Sequence, residues 1–317
     1  MTRVIAVGIF AAMAGIPPAR AGVDPALLTL APANSKVLVG VQVNQVKAAP
    51  FGQYLVSQIQ LDAKADKALE ALGFDPRRDL TELLVASDGV NSGLLMGRGS
   101  FHPEKLSASA PSAGLVGSTY RGVQVLDSKS PGGTPSGSIA FLDKSTVIAG
   151  DSATVRAAID RHAAAESFSG TLAARARQIS SANDVWIASL QAPAEALAGL
   201  AHNSQMKPLA NVLQSAVQLS AGLKFTPSDV TLSAEILTKS ADDAQQMAAL
   251  LRLVASLAQS NSSHGSDGAS GRGDASAAAQ ISTSGPVAIL TVSVPEKQLE
   301  QLFTPAAQPK RLALSKQ

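Results

Sequence analysis

The sequence predicts an α+β protein of two tandem lobes, each of split β-α-β type, with mainly antiparallel sheets and helices packed on one face. Apolar and polar residues alternate through 217–236 on both sides of the turn Thr226-Pro227-Ser228-Asp229, which is typical of a hairpin with one buried face. The spacing becomes helical after Ser240. The order strand, helix, strand, strand, helix is predicted at 37–110 and again at 184–259, which indicates an internal repeat.

The helix after Ser240 carries the clearest start signal in the chain. Ser240 can cap its free amides, and Asp242 and Asp243 would lie in the positive first turn. The apolar residues that follow predict one buried stripe: Met247, Leu250, Leu251, Val254, Leu257 and Ala258. We expect the hairpin and this helix to bury each other, with Leu223, Ile236 and Val254 in the contact.

Residues 1–21 have the features of a secretory signal peptide. Arg3 gives a positive start, and Val4–Ala14 is an uncharged apolar run. Ala19-Arg20-Ala21 fits the rule for a cleavage site, so cleavage is predicted after Ala21. Eleven apolar residues are too few to cross a bilayer, which needs roughly 20. The sequence therefore predicts a periplasmic or extracellular protein with no transmembrane segment after signal cleavage.

Composition argues against several classes of function. Aromatic residues make up 3% of the chain, so stacking platforms for nucleic-acid bases are scarce. Once Arg3 and Arg20 leave with the signal peptide, 24 basic residues balance 24 acidic ones. No nucleic-acid partner is expected from this charge balance. The chain is cysteine-free, so its stability must come from packing rather than disulfides.

The first lobe is predicted to span 22–166. It begins with a short helix capped by Asp24 and a valine-rich strand from Val37. The remaining elements are, in order, a helix from Pro50 to about Leu72 that is ended by Gly73, a hairpin of Leu80–Ser87 and Ser92–Arg98, a weak helix from His102, a strand over Arg121–Asp127, a hairpin of Ser138–Leu142 and Thr146–Ala149, and a helix capped by Asp151 or Ser152. A short helix over Thr171–Ser180 lies in the predicted boundary between the two lobes.

The second lobe is predicted to span 184–304. Val185–Gln191 is apolar on both faces and reads as a central strand. A helix from Pro193, the hairpin and helix described above, a disordered loop at 260–277, a last hairpin around Gly285-Pro286 and a helix from Pro295 follow. Residues 305–317 are predicted to be a flexible tail.

The stretch Gly73-Phe74-Asp75-Pro76-Arg77-Arg78-Asp79-Leu80 has the pattern G-x-D-P-x-x-D-L before a strand. With the signal peptide and the valine-rich strand, it resembles uncharacterised exported proteins of soil bacteria. The resemblance implies a bacterial, exported protein and carries no activity. Arg77 and Arg78 at the start of this turn are weak candidates for an anion site.

Motifs for catalysis, metals and cofactors are missing or incomplete. The four histidines are far apart in sequence, and no zinc, dinucleotide or phosphate-loop spacing occurs. Ser204-x-x-Lys207 lacks the companion motifs of serine acyl enzymes, and Arg272-Gly273-Asp274 is best explained as chance in a simple loop. No catalytic residue, metal site or cofactor is therefore predicted.

The sequence favours an exported, non-enzymatic envelope protein that acts as a binding or scaffold module for an unknown protein or envelope partner. The alternative is a periplasmic hydrolase whose site is dispersed in sequence. Its best candidates are acids and a hydroxyl at strand ends: Asp88, Asp143, Asp151 and Ser152.

Overall fold

The chain folds around one continuous sheet of twelve strands, in which every neighbouring pair is antiparallel. The computed structural model describes residues 22–58, 75–90, 92–129, 135–191, 212–263, 278–296 and 299. The strands are β1 (Val37–Val41), β2 (Leu80–Ser87), β3 (Gly93–Gly99), β4 (Leu115–Tyr120), β5 (Val123–Lys129), β6 (Pro135–Phe141), β7 (Thr146–Gly150), β8 (Val185–Ser189), β9 (Ala216–Phe225), β10 (Asp229–Thr238), β11 (Ala278–Ser284) and β12 (Val287–Pro295). Their order across the sheet is β11-β12-β10-β9-β8-β1-β2-β3-β7-β6-β5-β4.

The helices of the described residues connect these strands and pack on them. They are α1 (Pro25–Leu30), α2 (Val43–Ala48), α3 (Pro50–Gln58), α4 (Pro76–Asp79), α5 (Pro103–Ser109), α6 (Ser152–Ala163), α7 (Thr171–Ala182) and α8 (Ala241–Ser263), with a 3₁₀ helix at Ala110–Ala113. Among these helices, none combines the length and the apolar character that spanning a membrane requires.

The α+β class and the mainly antiparallel pairing are confirmed, but two tandem split β-α-β lobes are not. The central strands of the two halves, β1 and β8, pair directly with each other, with Val39 opposite Ile187. Trp186 lies across this joint, and a Cβ on Gly40 would come within 2.2 Å of its indole ring. The halves therefore share one sheet and a common core rather than closing separately.

Most of the core lies on the side of the sheet that carries Leu38, Leu84, Met96 and Trp186, which we call the core face. Helices α1, α6 and α7 cover this face with fully or almost fully buried side chains: Leu27, Leu28, Leu30, Val155, Ala158, Ile159, Leu172, Ala173 and Ala176. In β1 the most buried side chain is Leu38, whereas Val37, Val39 and Val41 point to the opposite side and are half-buried.

That opposite side is called the open face, and helices pack on it too. Val46 of α2 and Phe51 of α3 cluster with Val41, Val185 and Leu223 of the sheet. The prediction that helices lie on one face is therefore wrong. Its physical reason is that the central strands are apolar on both sides, so each side needs its own cover.

Helix α8 packs against β10, β11 and β12, but its orientation differs from the prediction. The buried positions are Ala244, Met247 and Ala248, whereas Leu253 and Val254 are 50% and 51% exposed. The prediction that Val254 is buried is therefore wrong. Small alanines permit close approach to the sheet, and they outweigh the larger residues that defined the predicted stripe.

Other predictions can be compared element by element. The predicted hairpins at 80–98, 138–149, 217–236 and 280–294 are confirmed, as are the caps formed by Asp24, Asp151 and Ser240. Strand β4 was not predicted. The loop predicted at 260–277 starts too early, because α8 continues to Ser263 with no Gly or Pro to stop it. The signal peptide, Gly73, the motifs Ser204–Lys207 and Arg272–Asp274, the rest of that loop and the tail lie outside the described residues.

Candidate functional site

An apolar row crosses the open face from one edge of the sheet to the other. Starting from β11, each residue is the direct pairing partner of the next: Ile281, Leu290, Ala234, Ala221, Ile187, Val39, Val85, Leu95, Ala149, Ile139, Leu126 and Gly117. No member carries a polar side chain, although it draws one residue from every strand. We call this set the apolar row.

The middle of the apolar row is only partly covered. Leu95 is 37% exposed, and Ile187, Val39 and Val85 are half-buried. Towards β4 the row passes under other residues: Leu126 is 1% exposed, and Ile139 packs against the cluster that contains Phe101. At the other end, α8 packs against the strands β10, β11 and β12. The accessible part of the row is therefore a band over the central strands.

The neighbouring line of open-face residues marks one border of this band. Val41, Val185 and Leu223 each lie two residues along their strand from a member of the apolar row, and α2 and α3 cover them. Phe51 stacks with Tyr54 and Phe225 there, at 5.9 and 6.4 Å between ring centroids. Aliphatic side chains without a titratable group can bind by burial, at about 25 cal/mol per Å², but cannot transfer protons.

Arg77 and Arg78 lie in α4, where neighbouring carboxylates bind both guanidinium groups. Arg77 Nε is 3.1 Å from Asp75 Oδ1, which also caps the helix. Arg78 makes two hydrogen bonds to Asp79, of 2.7 and 2.9 Å. An anion would have to compete with these acids, so the geometry adds no support for the predicted anion site.

Each candidate residue of the hydrolase hypothesis has a local hydrogen-bonding role in its own turn, cap or cluster. Asp88 accepts hydrogen bonds from Val90 and Ser92 within the β2–β3 turn. Asp143 accepts from Ser145 and Thr146 within the β6–β7 turn. Asp151 accepts two bonds from Thr154 at the start of α6. These bonds explain the acids as turn and cap residues.

Ser152, the remaining candidate, belongs to a buried polar cluster that sequence reasoning missed. Its Oγ lies 2.6 Å from Ser138 Oγ, and Ser138 donates to Asp127. Ser118 Oγ and Arg156 Nη2 complete the set around Asp127, at 2.9 and 3.3 Å. The carboxylate therefore holds α6 over β4, β5 and β6. The only signal in the sequence is that each of these strands has a polar residue at a position that points to the core face. The alternation of apolar and polar residues does not mark such a residue as part of a cluster.

A second network ties the residues that follow the predicted cleavage site into the core face. The amide of Val23 donates to Ser180 Oγ, and that of Asp24 donates to Glu82 Oε1, both at 2.9 Å. Burial raises the pKa of Glu82. Burial acts in the same direction on Asp24, but hydrogen bonds from Arg98 and from the amide of Ala26 outweigh it, and the pKa of Asp24 is lowered.

No cluster of metal-binding side chains forms in the part of the chain that the structure describes. No three His, Asp or Glu side chains converge there as ligands of a metal would. Both histidines of the described residues are exposed: His102 precedes α5, and His162 lies in the last turn of α6. The apolar row is consequently the candidate functional surface of the protein.

Comparisons with known proteins agree with the fold. No protein-family model matches the sequence, and no curated protein does. Solved structures of TP0453 are similar in fold: crystal form I has a TM-score of 0.54 at 12% identity, covering 89% of this chain and 97% of that chain. Crystal form III has a TM-score of 0.52 at 12% identity, covering 88% and 97%, and form IV has 0.54 at 10%, covering 89% and 97%. At these identities the likeness shows an architecture common to almost the whole of both chains, and the fold alone.

Proposed function

We propose that the protein is an exported, non-enzymatic binding module of the bacterial cell envelope, and that the apolar row is its binding surface. The observation that carries the proposal is the half-exposed band over the central strands, with Leu95 at its most accessible point. A broad, uncharged sheet surface suits the apolar side chains of a protein partner better than a small reacting molecule, which needs convergent polar groups.

Export rests on the sequence of residues 1–21 and on the resemblance to exported proteins of soil bacteria. Expression of the full chain in a Gram-negative host, followed by fractionation and N-terminal sequencing, tests it. We expect a periplasmic or secreted product that begins at Gly22. A cytoplasmic product that begins at Met1 or Thr2 contradicts it.

Binding is tested with a photoreactive amino acid placed at Leu95 and, as the matched control, at Val90 on the adjoining turn. Val90 is 77% exposed but lies outside the apolar row. We expect a discrete cross-linked protein from position 95 that is absent from position 90 and is abolished by Val85→Glu. Equal products from both positions, or none from position 95, contradict a binding role for the row.

The hydrolase alternative receives no support from the geometry, because its acids are held in separate turns and caps.

The internal repeat predicted from the sequence also remains a proposal: we infer that the two halves are related by duplication about the β1–β8 joint. Outward from that joint, β1-β2-β3 and β8-β9-β10 follow one another in chain order in opposite directions. In an alignment of homologues, the first half of the chain should match the second half at core positions. If the two halves do not match, the proposed duplication loses its support.

A further inference from the structure

The two edges of the sheet differ in how they are covered. At one edge, α8 packs against β11, and Arg252 Nη2 donates a hydrogen bond of 3.1 Å to the carbonyl oxygen of Ile281. At the other edge, β4 packs against β5 on one side and against the 3₁₀ helix that precedes it. A helix therefore covers one edge strand, whereas among the described elements no further strand pairs with the outer edge of β4.

Strand β4 lacks the features by which edge strands usually avoid pairing. Its six residues, Leu115 to Tyr120, contain no charge and no proline, and its register with β5 runs without a bulge. Val116 is 41% exposed, and Gly117 and Thr119 are exposed as well. Uncharged, regular edge strands of this kind are templates for the addition of another strand.

Side-chain contacts on the core face also fix the position of the strand. Ser118 Oγ bonds Asp127, and the hydroxyl of Tyr120 lies 3.1 Å from Asp160 Oδ2. The guanidinium of Arg156 stands over the Tyr120 ring at 5.8 Å. An incoming strand therefore meets an ordered backbone and an ordered aromatic ring, which lowers the entropy lost on association.

We propose that β4 is an interface between two copies of this chain, which pair antiparallel, β4 to β4, about a twofold axis through Ser118. Strand β4 contributes only Gly117 to the apolar row, and the accessible band of the row lies over the central strands, so the inference does not depend on the proposed function. A twofold axis perpendicular to the sheet pairs residues that point to the same face. Val116 then lies opposite Tyr120 of the second copy, and a β-branched and an aromatic side chain form a favourable cross-strand pair.

A second copy is the occupant that the strand itself specifies. An identical strand is self-complementary about the axis, and an uncharged strand brings no like charges together. Pairing six residues buries far less than the roughly 1,200–2,000 Å² of a stable complex. The dimer is consequently reversible and depends on protein concentration.

Sedimentation velocity of the mature chain over a concentration series tests the dimer. We expect the wild-type protein to shift from monomer to dimer as its concentration rises. Val116→Lys should weaken association about tenfold or more, because it places a charge beside each copy's edge. Val90→Lys makes the same chemical change on a distant turn and should associate like the wild type. A wild-type protein that stays monomeric throughout, or equal association of V116K, overturns the proposal.

Cysteine cross-linking tests the register, since the natural chain contains no cysteine. Ser118→Cys should form a disulfide-linked dimer on mild oxidation, because the axis brings the two Cys side chains together. Val116→Cys should not form a disulfide, because the two copies of residue 116 lie four residues, or about 13 Å, apart along the strand direction. Disulfides need Cα atoms no more than about 7 Å apart.

If S118C fails to fold, the pair Gly117→Cys and Thr119→Cys replaces it, since these positions face each other across the axis and leave Asp127 untouched. Cross-linking of V116C alone contradicts the register. Cross-linking of neither S118C nor the double variant, in a protein with native fluorescence from Trp186, contradicts the interface.

Discussion

Asp151 illustrates how a single side chain fixes the start of an element. It precedes α6, and its carboxylate accepts hydrogen bonds from the amide of Thr154 at 2.8 Å and from the Thr154 hydroxyl at 2.6 Å. These two bonds lower the pKa of Asp151. A carboxylate with a lowered pKa stabilises the folded state above the pKa of the unfolded chain, and that contribution is lost as pH falls through the folded pKa.

We expect Asp151→Ala to lower the free energy of unfolding by about 1 kcal/mol at pH 7, which is the usual effect of losing a helix cap. The difference from the wild type should begin to shrink below about pH 4, because the carboxyl of the unfolded chain, with its ordinary pKa of 3.8, takes up a proton there before the folded cap does. Urea denaturation at pH 7 and pH 3.5 measures it.

Asp151→Asn is the control, since an asparagine caps a helix without titrating. Its stability relative to D151A should be the same at both pH values. A gap between wild type and D151A that does not change with pH would contradict the assignment of the bond to the ionised carboxylate.

Residues of this kind were predictable, because a cap is a local pattern of an acid followed by a helical run. The cluster around Asp127 was not. It joins Asp127 of β5 to Ser118, Ser138, Ser152 and Arg156, which lie in three other elements, and nothing in the sequence near any one of them indicates the others.

At the scale of elements, α8 shows that an apolar residue at helical spacing is not necessarily buried. Met247 is fully buried, while Val254, two turns later, is 51% exposed. The sequence placed both on one stripe because both are apolar at helical spacing. The actual contact face is set by Ala244 and Ala248 beside Met247, which let the helix approach the sheet closely.

We predict that Met247→Ala costs about 2–4 kcal/mol of unfolding free energy, since it removes a buried side chain and leaves a cavity. Val254→Ala should change stability by less than about 0.5 kcal/mol, as exposed substitutions usually do. Chemical denaturation of the two variants compares them directly. Equal losses would mean that the face of α8 that packs on the sheet differs from that described.

Hairpins were the most predictable elements, because their turns carry Gly, Pro, Asn and Asp at the required places. The hairpin of β4 and β5 is the exception. Its turn is Arg121-Gly122, with φ of 48° and 80°, and an arginine in this conformation is not a usual turn signal. Without a recognisable turn, Leu115–Tyr120 was not predicted as a strand.

At the scale of the whole molecule, the decisive feature is the β1–β8 joint. The alternating patterns predict which strands exist, but pairing between distant strands depends on register and packing that no local pattern contains. The sequence therefore predicted mixed α+β structure correctly and could not establish that both halves share a sheet. The apolar row likewise emerges only from the eleven strand pairings taken together.

We predict that the protein unfolds in a single cooperative transition. Trp186 is the only tryptophan and lies at the joint, so its fluorescence reports the joint, while far-UV circular dichroism reports all elements. The two signals should give the same midpoint in urea, because neither half can lose its structure without exposing the shared core. Midpoints that differ, with fluorescence changing first, would indicate two autonomous units.

The position of β1 between β2 and β8 also orders events during synthesis. Hairpins such as β2–β3 and β9–β10 can close soon after the ribosome has released them. The partner of β1 on its other side, β8, is made only about 150 residues later, so one side of β1 lacks its partner while roughly half of the chain is synthesised. Contacts between residues so distant in sequence form slowly. The joint that makes the native sheet continuous is thus the pairing for which a nascent chain waits longest after its first strand has been made.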